Sequence, residues 1–107
     1  MPVFIGKFLR DWINQVNSII LLEDGDILIG VKEKNKEKGA EPWGDENEKY
    51  SYSICKFGIT ENKFTLLDKA KNAHKDLING IIYWKKCDLF LSCSADRKIK
   101  IWKMNKI

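Results

Sequence analysis

The fold is decided by the last third of the chain. It reads His74-Lys-Asp-Leu-Ile78-Asn-Gly-Ile81-Ile82-Tyr83-Trp84, then Lys85-Lys86-Cys87-Asp88, then Leu89-Phe-Leu-Ser92-Cys-Ser94-Ala-Asp96-Arg-Lys, then Ile99-Lys-Ile101-Trp102-Lys. Short apolar runs alternate with tight polar turns at spacings too close for helices, which predicts three antiparallel strands. Successive side chains of a strand point to opposite faces, so Ile99 and Ile101 share one side of the last strand while Lys100 and Trp102 share the other. By the same rule Cys93 points away from Ser92 and Ser94.

Upstream, the pattern repeats. Residues 12–32 run Trp12-Ile-Asn-Gln-Val16-Asn-Ser-Ile19-Ile-Leu21-Leu-Glu-Asp24-Gly25-Asp26-Ile27-Leu-Ile29-Gly30-Val31-Lys. Asp24-Gly25 between two apolar runs is a strong hairpin signal. Beyond a charged stretch, Tyr50-Ser-Tyr52-Ser-Ile54-Cys55 alternates strictly, and Lys63-Phe64-Thr65-Leu66-Leu67 predicts a further strand, followed by a turn through 69–73 to His74. Laid on the last third, Val16 falls on Ile78, Ile19 on Ile81, Gly30 on Ser92, and Ile54-Cys55 on Ile101-Trp102. These are two copies of one unit. Residues 3–8, Val-Phe-Ile-Gly-Lys-Phe, predict a short strand before the first copy, and the second copy lacks a fourth strand. Backbone groups on the open edge of that last strand need a partner. Residues 3–8 are the expected one, folding back within the chain or reaching a neighbouring chain head to tail.

Residues 74–102 resemble a WD repeat, the four-stranded blade of a β-propeller. The resemblance rests on His74, Ser92, Asp96 and Trp102. They match a polar tetrad of the family: a histidine before the first strand, a serine on the second, an aspartate in the following turn and a tryptophan ending the third. It implies that Asp96 accepts from one ring nitrogen of His74, while the Ser92 hydroxyl meets the other and accepts from the Trp102 indole. The usual Gly-His is Ala73-His74 here, and the usual Trp-Asp is Trp102-Lys103. In the first copy Trp12 stands at the histidine position, Gly30 at the serine, Lys34 near the aspartate and Cys55 at the tryptophan.

The expected fold is therefore all-β, with antiparallel four-stranded propeller blades, about two of them, in a partial WD-repeat propeller. The whole chain, 1–107, reads as one such region. An outer strand lies in 1–11, a degenerate blade in 12–68 with a charged insertion at 33–49, and a blade with the intact tetrad in 74–107. Propellers of this family close with more blades, and two alone leave two apolar faces open. The chain is thus expected to belong to a longer propeller or to close a ring with other chains.

At 107 residues the chain holds one small domain. No apolar run approaches the roughly 20 residues that span a bilayer, and the start lacks the pattern of a secretory signal. The cysteines, Cys55, Cys87 and Cys93, are odd in number and form no CxxC pair. That fits free thiols and a cytoplasmic or nuclear location. Residues 33–49 carry six acids and four bases, and seventeen of the nineteen basic residues are lysines scattered along the chain, so the net charge of +4 reads first as a solvated surface. A lysine-rich face of Lys85, Lys86, Arg97, Lys98 and Lys100 is the alternative, a binder of nucleic acid or another anionic surface.

Catalytic readings fail at the sequence level. Cys93 cannot share a face with Ser92, which removes a Cys/His/Asp arrangement. The spacings of Cys87, Cys93 and His74 match no zinc pattern, and no Gly-rich phosphate loop is present. No catalytic residue, metal site or cofactor is expected. The stretch 33–49 holds one large apolar group, Trp43, amid charge. Trp43 with Glu41, Asp45 and Glu46 is the candidate partner-binding patch, since a lone tryptophan in a polar loop is a typical interface anchor. Its charge and low apolar content predict that protease cuts there first. The expected function is a non-enzymatic scaffold for protein partners.

Overall fold

A computed structural model describes Pro2 and residues 10–35, 49–60 and 63–103, all in strands and short connections. Strands β1 (Ile13–Leu21), β2 (Ile27–Lys34), β3 (Tyr50–Thr60) and β4 (Lys63–His74) form one antiparallel sheet in the order β1-β2-β3-β4. Strands β5 (Ile78–Trp84), β6 (Leu89–Ser94) and β7 (Ile99–Lys103) form a second, in the order β5-β6-β7. The fold is all-β. Among the described residues no helix is long and apolar enough to cross a membrane.

Local chemistry explains the turns. In the β1–β2 hairpin Leu22 N–H donates to the Asp26 carbonyl and Gly25 N–H to the Leu22 carbonyl. Gly25 sits at φ 91°, a conformation that glycine adopts without a Cβ clash. Between β5 and β6 a 3-10 turn spans Lys85–Cys87 and ends on Asp88 at φ 53°.

The two sheets share a fingerprint beyond strand order. Each first strand carries a register shift at the same place, between Val16 and Ser18 in β1 and between Ile78 and Gly80 in β5. Each shift skips an asparagine, Asn17 or Asn79. Past it, Ile19 faces Ile29, as Ile81 faces Ser92; Leu21 faces Ile27, as Tyr83 faces Phe90. Ile27 in turn faces Phe57, as Phe90 faces Trp102.

This pairing corrects the sequence alignment by one residue on β2 and two on β3. With Ile19 on Ile81, the serine position of the first sheet is Ile29, not Gly30, and the tryptophan position is Phe57, not Cys55. Because side chains alternate along a strand, a one-residue slip exchanges the two faces of β2. The corrected match puts Ile27, Ile29 and Phe57 on the face that Phe90, Ser92 and Trp102 occupy in the second sheet. It also moves the aspartate position from Lys34 to Glu33.

Three further differences concern boundaries. Strand β4 extends to His74, with a bulge between Ala70 and His74 where Asn72 takes φ 57°, so the stretch 69–73 expected as a turn is bulged strand, and the first sheet ends at 74 rather than 68. Glu33 and Lys34 belong to β2, so the insertion starts after them, and Glu33 is buried rather than solvated. The expected strand at 3–8 and the partner-binding candidates Glu41, Trp43, Asp45 and Glu46 lie outside the described residues.

The core sits between the sheets. Leu22, Leu28, Tyr52 and Ile54 of the first pack against Ile78, Ile81 and Phe90 of the second. The sheets approach closely at Gly30. A Cβ there would lie 2.5 Å from Ser18 Oγ and 2.9 Å from the Ile78 methyl, so a larger residue would force Ser18 or β5 to shift. The opposite face of the first sheet holds a second buried cluster, Ile27, Ile29, Val31, Cys55 and Phe57, with Trp12, Ile13 and Phe64 against it. Of the two apolar faces expected to be open, this one is therefore buried at its centre. The outer face of the second sheet is open: Ile82, Trp84, Ile99 and Ile101 are each at least 50% exposed.

Candidate functional site

Where β4 hands over to β5, the chain brings His74, Ser92, Asp96 and Trp102 together. His74 closes β4, Ser92 lies on β6, Trp102 on β7, and Asp96 in the turn between β6 and β7. His74 Nδ1 lies 3.0 Å from Asp96 Oδ2, and His74 Nε2 lies 2.7 Å from Ser92 Oγ. The Trp102 indole N–H donates to the same Ser92 oxygen at 3.0 Å. For a neutral imidazole, one proton arrangement satisfies every contact: Trp102 donates to Ser92, Ser92 donates to Nε2, and Nδ1–H donates to Asp96. The tautomer of His74 is thereby fixed.

The turn is tied to this chain of bonds. Asp96 Oδ2 also accepts from the Lys75 N–H at 3.0 Å, and Oδ1 from the Lys98 N–H at 2.9 Å. Asp96 N–H donates to Ser94 Oγ, whose hydroxyl donates to the Asp76 carbonyl. Burial disfavours the Asp96 charge, but the Lys75 N–H, the His74 ring and the Lys98 N–H together outweigh it, and the carboxyl is held well below the usual range. The His74 side chain is fully buried and that of Asp96 is 6% exposed. Phe90 stacks on Trp102 with centroids 6.0 Å apart, and Lys100 Nζ donates to the Ala73 carbonyl at 2.7 Å.

Both ring nitrogens of His74 are therefore occupied by fixed partners, and Ser92 is 1% exposed. A catalytic serine–histidine–aspartate arrangement makes these same contacts, but it also needs a serine hydroxyl that substrate can reach. Here the Ser92 and His74 side chains are both buried. The chemistry of this cluster is polar satisfaction, which locks the β4–β5 link onto the β6–β7 turn.

The matching place in the first sheet is built differently, and the sequence pattern did not reveal it. Lys69 of β4 donates to Glu33 Oε1 at 2.9 Å and lies 4.7 Å from the centre of the Trp12 ring. Lys34 N–H donates to the Trp12 carbonyl at 2.9 Å. Glu33 Oε2 is buried with no hydrogen-bond partner among the described residues. Cys55 is fully buried nearby. Burial, reinforced by the Glu33 charge and opposed by Lys69, pushes its thiol up to about 12. A thiol so protonated is a poor nucleophile.

A cleft of about 360 Å³ opens beside His74, lined by Tyr50, Ser51, Tyr52, Asn72, His74 and Lys75. Asn35 and Lys49, the ends from which the segment 36–48 departs, are joined by an Asn35 N–H bond to the Lys49 carbonyl at 2.7 Å. That segment therefore leaves the sheet at the rim where the cleft lies. The five basic residues of the lysine-rich alternative are divided. Lys85 and Lys86 follow β5, with Lys85 paired to Glu23; Arg97 and Lys98 lie in the β6–β7 turn at the other end of the sheet; and Lys100, on β7, donates to the Ala73 carbonyl. Of the cysteines, Cys87 and Cys93 are exposed and Cys55 is buried. Among the described residues no group of three or more His, Cys, Asp or Glu side chains is placed to hold a metal ion. No protein-family model, curated protein or solved structure matches this chain.

Proposed function

We propose that the chain is part of a WD-type β-propeller and serves as a non-enzymatic interaction module, offering the rim beside His74 to a protein partner. The observation that carries this reading is the single hydrogen-bonded chain Trp102–Ser92–His74–Asp96, set within three antiparallel strands. It makes the β6–β7 turn and the β4–β5 link one rigid ledge. Rigid ledges limit the ordering cost of binding, and recognition residues are commonly displayed on loops held by such a scaffold. The cleft at Tyr50 and Tyr52 supplies aromatic surface on that ledge, and the segment bearing Trp43, Glu41, Asp45 and Glu46 starts and ends there.

The test is a photo-crosslinking amino acid in place of Trp43, irradiated in cells and in purified mixtures. The reading expects a discrete protein adduct that persists at 0.5 M salt. An adduct made only with nucleic acid, and lost steeply as salt rises, contradicts it, because phosphate contacts release counterions and weaken accordingly.

A further inference from the structure

Among the described residues two apolar surfaces remain open, and they lie at matching places of the repeat. One is the outer face of the second sheet, with Ile82, Trp84, Ile99 and Ile101 between 50% and 73% exposed. The other is the edge of the first sheet, where Val16, Ile19 and Leu21 of β1 are between 52% and 71% exposed. The register shared by the two sheets says what each surface is for. Val16, Ile19 and Leu21 stand where Ile78, Ile81 and Tyr83 stand on β5, the stripe that the second sheet lays on the first. Ile82 and Ile99 stand where Ile20 and Ile54 stand, on the face that receives it. One surface is thus an unused insert, and the other an unused seat.

One detail of the existing seat differs. Ile78 approaches Gly30, where an added Cβ would force a shift. At the open seat Cys93 stands in place of Gly30, so β1 of a docking copy sits farther off the sheet there than β5 does. At the rim of the existing interface Lys85 of the inserting sheet pairs with Glu23 of the receiving one at 2.9 Å. At the open pair of surfaces the receiving position is Lys85 and the inserting position is Glu23, each already paired within its own chain, so the contact sets one exposed ion pair beside another and places no like charges opposite each other.

We infer that a second copy of this chain docks head to tail, its β1 stripe seated on the outer face of β5–β7 in the way β5 is seated on the first sheet. This rests on the repeat reading above and adds the occupant of its open face. The stripe is a single strand wide, so the contact belongs with the small, weak interfaces. Association is therefore weak and grows with concentration. It is heterologous, so each copy keeps one free insert and one free seat.

The experiment uses the full chain and two surface variants, Ile19→Lys with Leu21→Lys to spoil the insert, and Ile82→Lys with Ile101→Lys to spoil the seat. All four positions are more than 60% exposed, so both variants keep the wild-type circular dichroism. Sedimentation equilibrium from 10 µM to 1 mM is expected to show wild-type mass rising past that of a dimer, and each variant alone as a monomer. An equimolar mixture of the two variants is expected to form a dimer that grows no further. In that mixture the Cys93 of the Ile19→Lys/Leu21→Lys variant, whose seat is filled, reacts with a thiol reagent at least fivefold more slowly, while its Cys87 and the Cys93 of the other variant do not change. A wild type that stays monomeric overturns the proposal. So does a spoiled-insert variant that still self-associates, or a mixture that stays monomeric. None of these results bears on adducts at position 43, so failure here is separable from failure of the proposed function.

Discussion

His74 and Trp12 hold the same place in two copies of one unit, and their surroundings differ. Around His74 every polar atom is used: a neutral imidazole, a hydroxyl and an indole N–H run in series into one carboxylate that backbone N–H groups also hold. Around Trp12 the aspartate position has become Glu33, the serine position is Ile29, and the compensating charge comes from Lys69 on the neighbouring strand. The first arrangement is hydrogen-bonded along its length and needs four particular residue types. The second is one ion pair under an aromatic ring, with one carboxylate oxygen left over. A repeat can thus keep its strand pairing after losing its polar signature, provided that the buried charge finds a counter-ion.

The sharpest way to break this comparison is to remove that counter-ion. Lys69→Ala leaves Glu33 buried and unpaired, and such a loss costs about 3 kcal/mol or more. Glu33→Leu with Lys69→Met is expected to recover most of it, since replacing a whole buried pair by apolar groups is often neutral. Urea denaturation of the three proteins measures both numbers. A Lys69→Ala protein as stable as wild type means that the pair does not hold the first sheet together.

Asp96→Ala comes next, at roughly 1–3 kcal/mol, because it strands His74 Nδ1–H and two backbone N–H groups. The same urea experiment checks it, and a loss under about 0.5 kcal/mol shows the network to be ornamental. Acid provides a gentler probe of the same residue. The folded Asp96 carboxyl titrates lower than in the unfolded chain, so its contribution is complete above pH about 4 and fades as pH falls through the folded value. Asp96→Asn should flatten the acid side of the stability–pH curve, and an unchanged slope contradicts the assignment.

The smallest effect separates the thiols. Cys87 and Cys93 are exposed and should react with a thiol reagent within minutes at pH 8, whereas Cys55 should react only as the fold opens. Equal rates for all three mean that the second buried cluster is loose.

The second sheet was legible in the sequence because its signal is chemical as well as periodic. A histidine, a serine, an aspartate and a tryptophan at those spacings, inside an alternating pattern, point to one pairing of three strands. The first sheet gave only periodicity. In β2 five consecutive residues, Ile27 to Val31, are buried, so alternation could not tell which face Gly30 or Ile29 belonged to, and the alignment slipped. Strand β4 is an edge strand of mostly polar residues and carries no two-residue rhythm, so half of it read as a turn. Glu33 opens a charged run, and in sequence such a run reads as solvated. Its partner lies 36 residues away, and no local pattern announces a pairing at that separation.

His74 is a fixed structural element, protonated on Nδ1 and accepting from Ser92 at Nε2. Proton-detected nitrogen NMR of the imidazole at pH 8, where a histidine is ordinarily neutral, reads this directly. The expected spectrum has a single ring N–H on Nδ1, slow to exchange with water, and an unprotonated Nε2. A proton on Nε2, or a ring exchanging freely between the two forms, would contradict it.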